Sequence, residues 1–186
     1  MKKQTILVTG GLGYIGSHTC IALLESDYEL VIIDKLINSN ISVLGRIEEL
    51  TGKTVKFYNF DIRDELKVKD VLDNHPIDAV IHFAAFKSIN ESIEDPLLYY
   101  DNNVIGTIKL TEALQKRGIY KFIFSSSASV YGNPPKSPVS EETPRSTLNP
   151  YGATKLMVEN ILSDLVNANY LWKIGILRYF NPVGAH

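Results

Sequence analysis

Cysteine is scarce in this sequence, and histidine occurs only as isolated residues. Cys20 is the only cysteine among 186 residues, so no disulfide bond can form within the chain, which is typical of proteins in a reducing compartment. The histidines lie far apart, at His18, His75, His82 and His186, without the short spacings of metal ligands. The sequence therefore predicts no disulfide and no metal site, and it favours a cytoplasmic location.

Excess charge of one sign and long apolar runs are also missing. The 19 basic and 21 acidic side chains give a net charge of −2 at pH 7, which disfavours nucleic acid or a membrane surface as a partner. The first ten residues contain an aliphatic run of only three residues, too short for the apolar part of a signal peptide or for a membrane span. A small molecule is therefore the expected partner.

The sequence does contain an alternation of strand-like and helix-like segments. Short runs of β-branched and aromatic residues predict strands at 5–9, 29–34, 54–60, 78–83, 120–126 and 172–180. Apolar residues at helical spacing predict helices at 14–25, 64–74, 96–117 and 150–166. Several strand runs are apolar on both faces, which is typical of a parallel sheet with helices on each side. The chain is therefore predicted to be an α/β protein.

A glycine-rich turn follows the first predicted strand. Gly10, Gly13 and Gly16 have the spacing GxxGxxG between a strand and a helix, which suits a tight turn and the close approach of a pyrophosphate. Asp34 ends the second predicted strand, where a carboxylate bonds ribose hydroxyls and repels a 2′-phosphate. The pattern predicts a dinucleotide site that prefers NAD, although Lys35 beside Asp34 weakens that preference. The alternative is that the glycines form only a turn.

A tyrosine and a lysine stand four residues apart in the segment YGATK. Tyr151 and Lys155 lie at the start of a predicted helix and project from one face, with Cβ atoms about 5–6 Å apart. A nearby ammonium and a cationic nicotinamide ring both stabilise a phenolate. Tyr151 is therefore predicted to accept a proton from a substrate hydroxyl while the attached carbon gives up hydride. The same spacing occurs in ordinary helices, and only its place behind a dinucleotide fold favours catalysis.

The serine-rich segment SSSAS ends the fifth predicted strand. Ligands of open parallel sheets bind beyond the carboxyl ends of the strands, so these serines are expected at the cofactor crevice. One hydroxyl is predicted to bond the reacting oxygen and to relay its proton to the tyrosine. Spacing leaves open whether it belongs to Ser125, Ser126, Ser127 or Ser129.

Longer segments add to these motifs. They are, in chain order, VTGGLGYIGSHT, IHFAAFKS, YYDNNVIGT, KFIFSSSASVYG, NPYGATKLMVEN and LRYFNPVGAH. Together they resemble the extended short-chain dehydrogenase/reductase superfamily, and within it the UDP-glucose 4-epimerase family, over the whole chain. The resemblance implies a Rossmann-type doubly wound parallel sheet that binds NAD, followed by a smaller domain that binds the nucleotide sugar. It also implies interconversion of UDP-glucose and UDP-galactose through a 4-keto sugar, with hydride return to the opposite face.

The resemblance assigns roles to individual residues. Tyr151 matches the catalytic base, Lys155 its partner at the nicotinamide ribose, and Ser127 the serine that bonds the sugar 4-hydroxyl. Besides these three, the predicted cofactor-binding residues are Gly10, Gly13, Tyr14, Ile15, Gly16, Asp34, Lys35, Leu36, Ile37, Asn38, Ser39, Asp61, Ile62, Phe83, Ala84, Ala85, Phe86, Lys87, Asn102 and Phe180. Contacts to the substrate are implied for Lys87, Ser127, Tyr151 and Asn181.

The chain departs from the family pattern in sequence and in length. Ala85 and Phe86 stand where glycine and leucine are expected, and Ser129 stands where threonine is usual. The chain stops at His186, where the family's substrate domain begins. Residues 1–186 are therefore interpreted as an NAD-binding Rossmann domain, and the chain as a fragment that lacks most of the substrate domain.

Other functions remain open at this stage. A dehydratase is disfavoured, because that family has two carboxylates just before VYG, where this chain has Ala128 and Ser129. Another NAD-dependent nucleotide-sugar epimerase or reductase would use the same tyrosine and lysine. A truncated NAD-binding module without activity is the non-enzymatic alternative.

A homodimer is a further expectation. Apolar residues of the two long predicted helices, such as Leu97, Leu110, Ile161 and Leu165, either pair across a two-fold axis or are buried within one monomer. The sequence does not favour one outcome over the other.

Overall fold

The computed structural model describes residues 3–185, so that Met1, Lys2 and His186 lie outside the described part of the chain. The strands are β1 (Thr5–Thr9), β2 (Glu29–Ile33), β3 (Lys56–Tyr58), β4 (Ile77–His82), β5 (Lys121–Ser127) and β6 (Lys173–Tyr179). The α-helices are α1 (Tyr14–Glu25), α2 (Ser42–Thr51), α3 (Glu65–Asn74), α4 (Ile89–Glu94), α5 (Pro96–Tyr99), α6 (Gly106–Gln115) and α7 (Pro150–Ala168). Tyr100–Ile105 form a π-helical turn and Ala128–Tyr131 a 3-10 turn.

The strands form one parallel sheet in the order β3-β2-β1-β4-β5-β6. Strands β2 and β3 lie on one side of β1, and β4, β5 and β6 lie on its other side. This strand order is that of the Rossmann fold. Thr9 at the end of β1 pairs with Ile33 on β2 and with His82 on β4, so the carboxyl ends of these strands meet at one edge. The predicted Rossmann-type parallel sheet is confirmed, and its strand order predicts a ligand crevice beside the end of β1.

Helices cover both faces of the centre of the sheet. Leu7 packs in the apolar cluster that contains α3, α6 and α7, whereas its neighbour Val8 packs in the cluster that contains α1 and α2. Both side chains are fully buried, and each such burial stabilises the fold by about 1.5–3 kcal/mol. The predicted doubly covered sheet is confirmed for these strands.

The outer part of the sheet is covered on one face. Phe122 and Phe124 of β5 are buried in the cluster that contains α7. Ile123 between them is 37% exposed, and Leu177 on β6 is 44% exposed. Because side chains alternate along a strand, these two residues mark an apolar face of β5 and β6 that solvent reaches.

The predicted helix at 96–117 is interrupted by the π-helical turn between α5 and α6. The turn buries Asn102 and Asn103. Asn103 bonds both backbone groups of Phe86: its Oδ1 accepts from the N–H at 2.8 Å, and its Nδ2 donates to the carbonyl at 3.0 Å. The extra residue in the turn brings these amides to the segment after β4, and such turns are frequent at functional sites.

Helices α2 and α4 lie where no helix is predicted. Helix α4 starts after Ser88, whose Oγ accepts from the backbone N–H of Glu91 at 3.3 Å, and serine followed three residues later by glutamate is a known start signal. The bounds of the predicted strands and helices otherwise differ from the observed ones by at most two residues. Asp95 and Asn149 cap α5 and α7, because Asp95 accepts from Leu98 N–H and Asn149 from Gly152 N–H.

No helix within residues 3–185 combines the length and the apolar character needed to cross a membrane. The same residues contain no group of three or more His, Cys, Asp or Glu side chains that could hold a metal ion. Cys20 is buried, and burial together with the charge of Asp34 raises the pKa of its thiol to about 12.

Candidate active site

A cleft of about 430 Å³ lies at the carboxyl ends of the strands, and nearly all predicted site residues line it. They are Gly10, Gly13, Tyr14, Ile15, Gly16, Asp34, Lys35, Ile37, Asn38, Ser39, Asp61, Ile62, Phe83, Ala84, Ala85, Phe86, Lys87, Asn102, Ser127, Tyr151, Lys155, Phe180 and Asn181. Leu36 is absent from the lining, because its side chain packs in the apolar cluster that contains α1 and α2. The structure brings these residues together, and their roles in binding stay predictions.

The three glycines of the first turn differ in whether the fold requires a glycine at that position. Gly10 has a φ of +68°, and a Cβ on it would lie 2.6 Å from the backbone nitrogen of Ala84. A Cβ on Gly16 would overlap the carbonyl oxygen of Gly10. A Cβ on Gly13 would meet that oxygen at 3.4 Å, and its φ of −73° is open to any residue. The fold itself requires Gly10 and Gly16, whereas Gly13 leaves open space in the cleft.

The N-terminus of α1 opens into this space. Gly13 is its N-cap, no side chain caps its first backbone N–H groups, and its first turn contains no acidic residue. Such a helix end offers N–H donors and a partial positive charge to an anion. Because Tyr14, Ile15 and Gly16 of this turn line the cleft, the arrangement fits a diphosphate.

Asp34 ties the end of β2 to the glycine turn. Its Oδ2 accepts from the backbone N–H of Leu12 at 3.1 Å. Its Oδ1 accepts from the N–H of Leu36 at 2.9 Å and from the hydroxyl of Ser39 at 2.8 Å. A carboxylate has about four acceptor positions, so about one remains for a hydroxyl of a ligand. Its negative charge disfavours a second negative charge at the same place.

The ammonium of Lys35 is paired with two other side chains inside the cleft. Its Nζ donates to the Asp61 carboxylate at 3.1 Å and to the amide oxygen of Asn102 at 2.5 Å. The same atom lies 4.4 Å from the centre of the Phe86 ring. Burial would raise the pKa of Asp61, but hydrogen bonds from Arg63 and Lys35 hold that pKa well below its usual value. Because its ammonium already has two oxygen partners, Lys35 weakens the preference for NAD less than the sequence suggests.

Tyr151, Lys155 and Ser127 meet in the same cleft. The Ser127 hydroxyl lies close enough to the Tyr151 phenol to lower its pKa, and it donates its own proton to Ser129 Oγ at 3.1 Å. The Nζ of Lys155 lies 6.0 Å from the centre of the Tyr151 ring and donates to the carbonyl of Ser125 at 2.8 Å. A phenol, a hydroxyl and an ammonium therefore face one space, which is the arrangement needed to move a proton to or from a bound hydroxyl.

Burial opposes charge on both Tyr151 and Lys155. It raises the pKa of the Tyr151 phenol, and the nearby Ser127 hydroxyl offsets this rise only in part. It also lowers the pKa of Lys155 to about 7. The sequence predicts that an ammonium and a cationic ring together stabilise the phenolate, and within the chain the ammonium alone does not outweigh burial.

Contacts distinguish the serines that spacing leaves equivalent. Ser125 contributes its carbonyl to Lys155, and the hydroxyl of Ser126 donates to Glu159 at 2.6 Å. The backbone N–H of Ser129 donates to Ser127 Oγ at 3.1 Å. Ser127 is therefore the serine whose hydroxyl lies at the phenol, which agrees with the role that the resemblance implies.

Some lining residues are not among the predicted set. Ile33 and Tyr179 end their strands, Phe60 follows β3, Ile89 begins α4, and Pro182 follows β6. The rule that ligands bind at the carboxyl ends of strands could have identified the strand-end residues. Ile89 depends on α4, whose start signal the sequence contains.

The segment after β6 closes one side of the cleft. Phe180 and Asn181 line it. The hydroxyl of Tyr14 donates to the carbonyl of Gly184 at 2.7 Å, so the same segment is tied to the start of α1.

Comparisons with known proteins agree with this geometry. The UDP-glucose 4-epimerase of Bacillus subtilis (strain 168) is 54% identical over 183 residues, which are 98% of this chain and 54% of that protein. The UDP-glucose 4-epimerase of Neisseria meningitidis serogroup C is 50% identical over 187 residues, which are 100% of this chain and 55% of that protein. The chain thus spans about half the length of the curated relatives it matches.

A solved structure and a family model extend the similarity to the fold. The crystal structure of UDP-glucose 4-epimerase from Bifidobacterium longum in complex with NAD+ and UDP has a TM-score of 0.97 and 49% identity, with 98% of this chain and 55% of that chain covered. The resemblance to UDP-glucose 4-epimerases is therefore confirmed. Since residues 6–186 match its model, the chain belongs to the NAD dependent epimerase/dehydratase family.

Proposed function

We propose that this chain is the NAD-binding part of an isomerase that interconverts UDP-glucose and UDP-galactose in nucleotide-sugar and galactose metabolism. The observation that carries the proposal is that Tyr151, Lys155 and Ser127 line the same cleft as the glycine turn and Asp34. A dinucleotide turn alone supports binding. The added phenol, ammonium and hydroxyl support proton transfer beside a bound dinucleotide.

The residues of the cleft fit NAD. The uncapped start of α1 and the open space at Gly13 suit a diphosphate, and the acceptor position left on Asp34 suits a ribose hydroxyl. When bound, NAD supplies a reversible hydride acceptor, so that a secondary alcohol is oxidised and its ketone is later reduced. The charge of Asp34 favours NAD over NADP, and Lys35 weakens that preference little, because its ammonium is already paired with Asp61 and Asn102.

Tyr151 is assigned the proton transfer. As the phenolate, it accepts the proton of the sugar 4-hydroxyl while the attached carbon is oxidised, and as the phenol it returns that proton when the carbon is reduced from its other face. Ser127, whose hydroxyl lies beside this phenol, bonds the same sugar oxygen and fixes its position. Lys155 holds the nicotinamide ribose and, when protonated, stabilises the phenolate.

The nucleotide sugar is assigned to the side of the cleft that contains Lys87 and Asn181. Both residues line the cleft, and an ammonium and an amide suit phosphate and hydroxyl groups. Residues 1–186 would form one NAD-binding domain. In the curated relatives, which are about twice as long, further contacts to the sugar would come from the part that this chain does not match.

Binding of NAD without turnover is the second candidate. It would use only the glycine turn and Asp34, both of which line the cleft. Another sugar epimerase or a reductase would use the same Tyr151 and Lys155 and would differ in its product. A dehydratase stays disfavoured, because neither Ala128 nor Ser129 can serve as an acid or a base.

We also propose a cytoplasmic homodimer. Leu97 is 77% exposed and Ile93 61% exposed, whereas Leu110 is fully buried, and Ile161 and Leu165 pack partly against the core. The apolar residues of α4 and α5 thus suit a second copy. The absence of a second cysteine agrees with a reducing compartment.

Calorimetry and a turnover assay test the proposal. The purified chain is first titrated with NAD. The NAD-loaded chain is then given UDP-galactose with no further NAD, and formation of UDP-glucose is followed by chromatography. Binding followed by interconversion supports the epimerase. Binding without product supports the second candidate, and failure to bind NAD contradicts both.

A further inference from the structure

An ionic cluster around a buried carboxylate lies beside the cleft, and the proposed function makes no use of its charges. Its members are Glu159 on α7, Arg178 on β6, Arg145 in the loop before α7 and Ser126 on β5, and we name it the Glu159 cluster. The Glu159 side chain is 0% exposed. A buried carboxylate is costly unless it is paired and hydrogen-bonded, so its partners indicate what it holds in place.

The carboxylate of Glu159 accepts hydrogen bonds from three elements of the fold. Its Oε1 accepts from the Ser126 hydroxyl at 2.6 Å and from Arg178 Nε at 3.0 Å. Its Oε2 accepts from Arg178 Nη2 at 2.8 Å and from Arg145 Nη1 at 3.0 Å. Burial would raise the pKa of Glu159, but these hydrogen bonds hold it below its usual value. Glu159 is therefore ionised at neutral pH, and its pair with Arg178 is bidentate and directional.

The cluster extends to the loop that precedes α7. Arg178 Nη1 donates to the hydroxyl of Tyr131 at 2.6 Å and to the carbonyl of Glu141 at 3.3 Å. Tyr131 belongs to the turn that follows β5. One carboxylate on α7 thus ties the helix directly to β5, β6 and the loop before α7, and through Arg178 to the turn after β5.

Glu159 also lies on the same face of α7 as the proposed reacting residues. Tyr151, Lys155 and Glu159 lie four residues apart on α7, hence on one face, with about 6 Å of axial rise between neighbours. Three consecutive serines of β5 meet this face. The contacts, in order along the helix, are the Ser127 hydroxyl with Tyr151, the Ser125 carbonyl with Lys155 and the Ser126 hydroxyl with Glu159. Of the three, only the contact at Glu159 is braced by ion pairs.

We propose that Glu159 is a positioning residue, which fixes α7 against the end of β5 so that Tyr151 and Lys155 face Ser127. The inference rests on the proposed function for the roles of those three residues. Their placement is nevertheless testable without cofactor or substrate. Stability alone does not require the cluster, because apolar replacements of buried ion pairs are often neutral or stabilising. A directional ion pair adds a defined register between helix and strand.

The ε-carbon chemical shift of Lys155, followed by NMR against pH in ¹³C-lysine-labelled protein, reports on this placement. The signal is assigned by its loss in Lys155→Met. In Glu159→Gln, loss of the register lets water reach the ammonium, so its pKa should rise from about 7 by about one unit or more, a factor of about ten in its protonation equilibrium. Loss of the negative charge by itself would lower that pKa. The sign therefore separates placement from electrostatics.

Two further variants complete the experiment. Leu162→Ala removes a fully buried side chain of α7 and should destabilise the fold without moving the pKa of Lys155. Ser126→Ala removes the link to β5 while the ion pairs stay, and should raise that pKa by less than Glu159→Gln does. His82 and Tyr151, which also face Lys155, are unchanged in all three variants.

The outcomes decide the proposal in either direction. A pKa that stays or falls in folded Glu159→Gln overturns it, and so does an equal rise in Leu162→Ala, because general loosening would then explain both. If Glu159→Gln does not fold, Ser126→Ala decides by the same sign. The proposed function fails separately, if the wild-type chain does not bind NAD.

Discussion

The Nζ atom of Lys155 lies 6.0 Å from the centre of the Tyr151 ring, and its hydrogen bond goes to Ser125 rather than to the phenol. The two groups therefore influence each other through space and not through a shared proton. Because burial raises the pKa of Tyr151, the phenol becomes an efficient base only when a positive charge enters the cleft.

Tyr151→Phe should abolish most of the turnover and leave NAD affinity nearly unchanged. A general acid–base residue contributes about 10²–10⁴-fold to the rate, so kcat should fall by that factor, measured as formation of UDP-glucose from UDP-galactose. Tyr58→Phe is the matched control, because it removes a phenol that bonds His75 instead. Interconversion that persists undiminished in Tyr151→Phe would remove the catalytic assignment.

Lys155 should make the stability of the protein rise with pH above neutrality. In the unfolded chain this lysine keeps its proton up to about pH 10.5, whereas in the folded protein its pKa is about 7. Between these values the unfolded state binds more protons, so the free energy of unfolding rises with pH.

Urea unfolding of wild type and Lys155→Met checks this dependence. The fluorescence of Trp172, the only tryptophan and 2% exposed, reports unfolding. Relative to Lys155→Met, the wild type should gain stability from pH 7 to 10 and show no trend below pH 7. Lys116→Met controls for the loss of one positive charge, and an equal trend against that control would contradict the interpretation.

Alanine at Gly13 should weaken NAD binding, whereas alanine at Gly16 should destabilise the fold. A Cβ at Gly13 fits the chain but fills space in the cleft, so Gly13→Ala should fold normally and bind NAD about tenfold or more weakly, a loss of about 1.4 kcal/mol. A Cβ at Gly16 overlaps the Gly10 carbonyl, so Gly16→Ala should lower the unfolding free energy by about 1–3 kcal/mol. Calorimetric titration and urea unfolding measure the two effects, and unchanged NAD affinity in Gly13→Ala would argue against a diphosphate at this turn.

Asp34→Asn should shift the cofactor preference toward NADP. The variant loses the negative charge that disfavours a 2′-phosphate, and it leaves one of the three donors now at this carboxylate without an acceptor. The affinities for NAD and for NADP should both fall, but the affinity for NAD should fall more. The NADP dissociation constant divided by the NAD dissociation constant should therefore become smaller. Lys35→Met should leave that ratio unchanged, because the ammonium is held by Asp61 and Asn102. A ratio that moves only in Lys35→Met would reverse the two assignments.

Leu97→Glu should weaken dimerisation. A charge in an apolar interface is costly, so the dissociation constant of the dimer, measured by sedimentation, should rise about tenfold or more, which is about 1.4 kcal/mol. Leu66→Glu on α3 is the matched control, because Leu66 is 75% exposed and Leu97 77%. Equal effects of the two variants would place the interface elsewhere.

Local sequence predicts the sheet and the glycine turn well, because both depend on neighbouring residues. Apolar runs define the strands, Gly16 is required by a contact within its own turn, and Gly10 has a positive φ as well as a close approach to Ala84 after β4. The π-helical turn at Asn102 and Asn103 is not predictable in this way, because it depends on bonds to Phe86 and Lys35 from other elements.

The buried state of Glu159 is equally invisible to local patterns. In the segment KLMVEN, a glutamate is expected on the solvated side of an amphipathic helix. Its partners Arg145 and Arg178 come from a loop and from the last strand, so only the folded chain brings the three charges together. The choice of Ser127 among four serines has the same origin, since it depends on where α7 packs against β5.

Strand β6 is the outermost strand of the described sheet and has β5 as its neighbour. Along its other edge run seven residues of backbone (Lys173–Tyr179), beside the solvent-accessible side chains of Ile123 and Leu177. An exposed strand edge of this kind can pair with a further β-strand. At high protein concentration, two copies of the chain are therefore expected to associate by pairing their β6 edges.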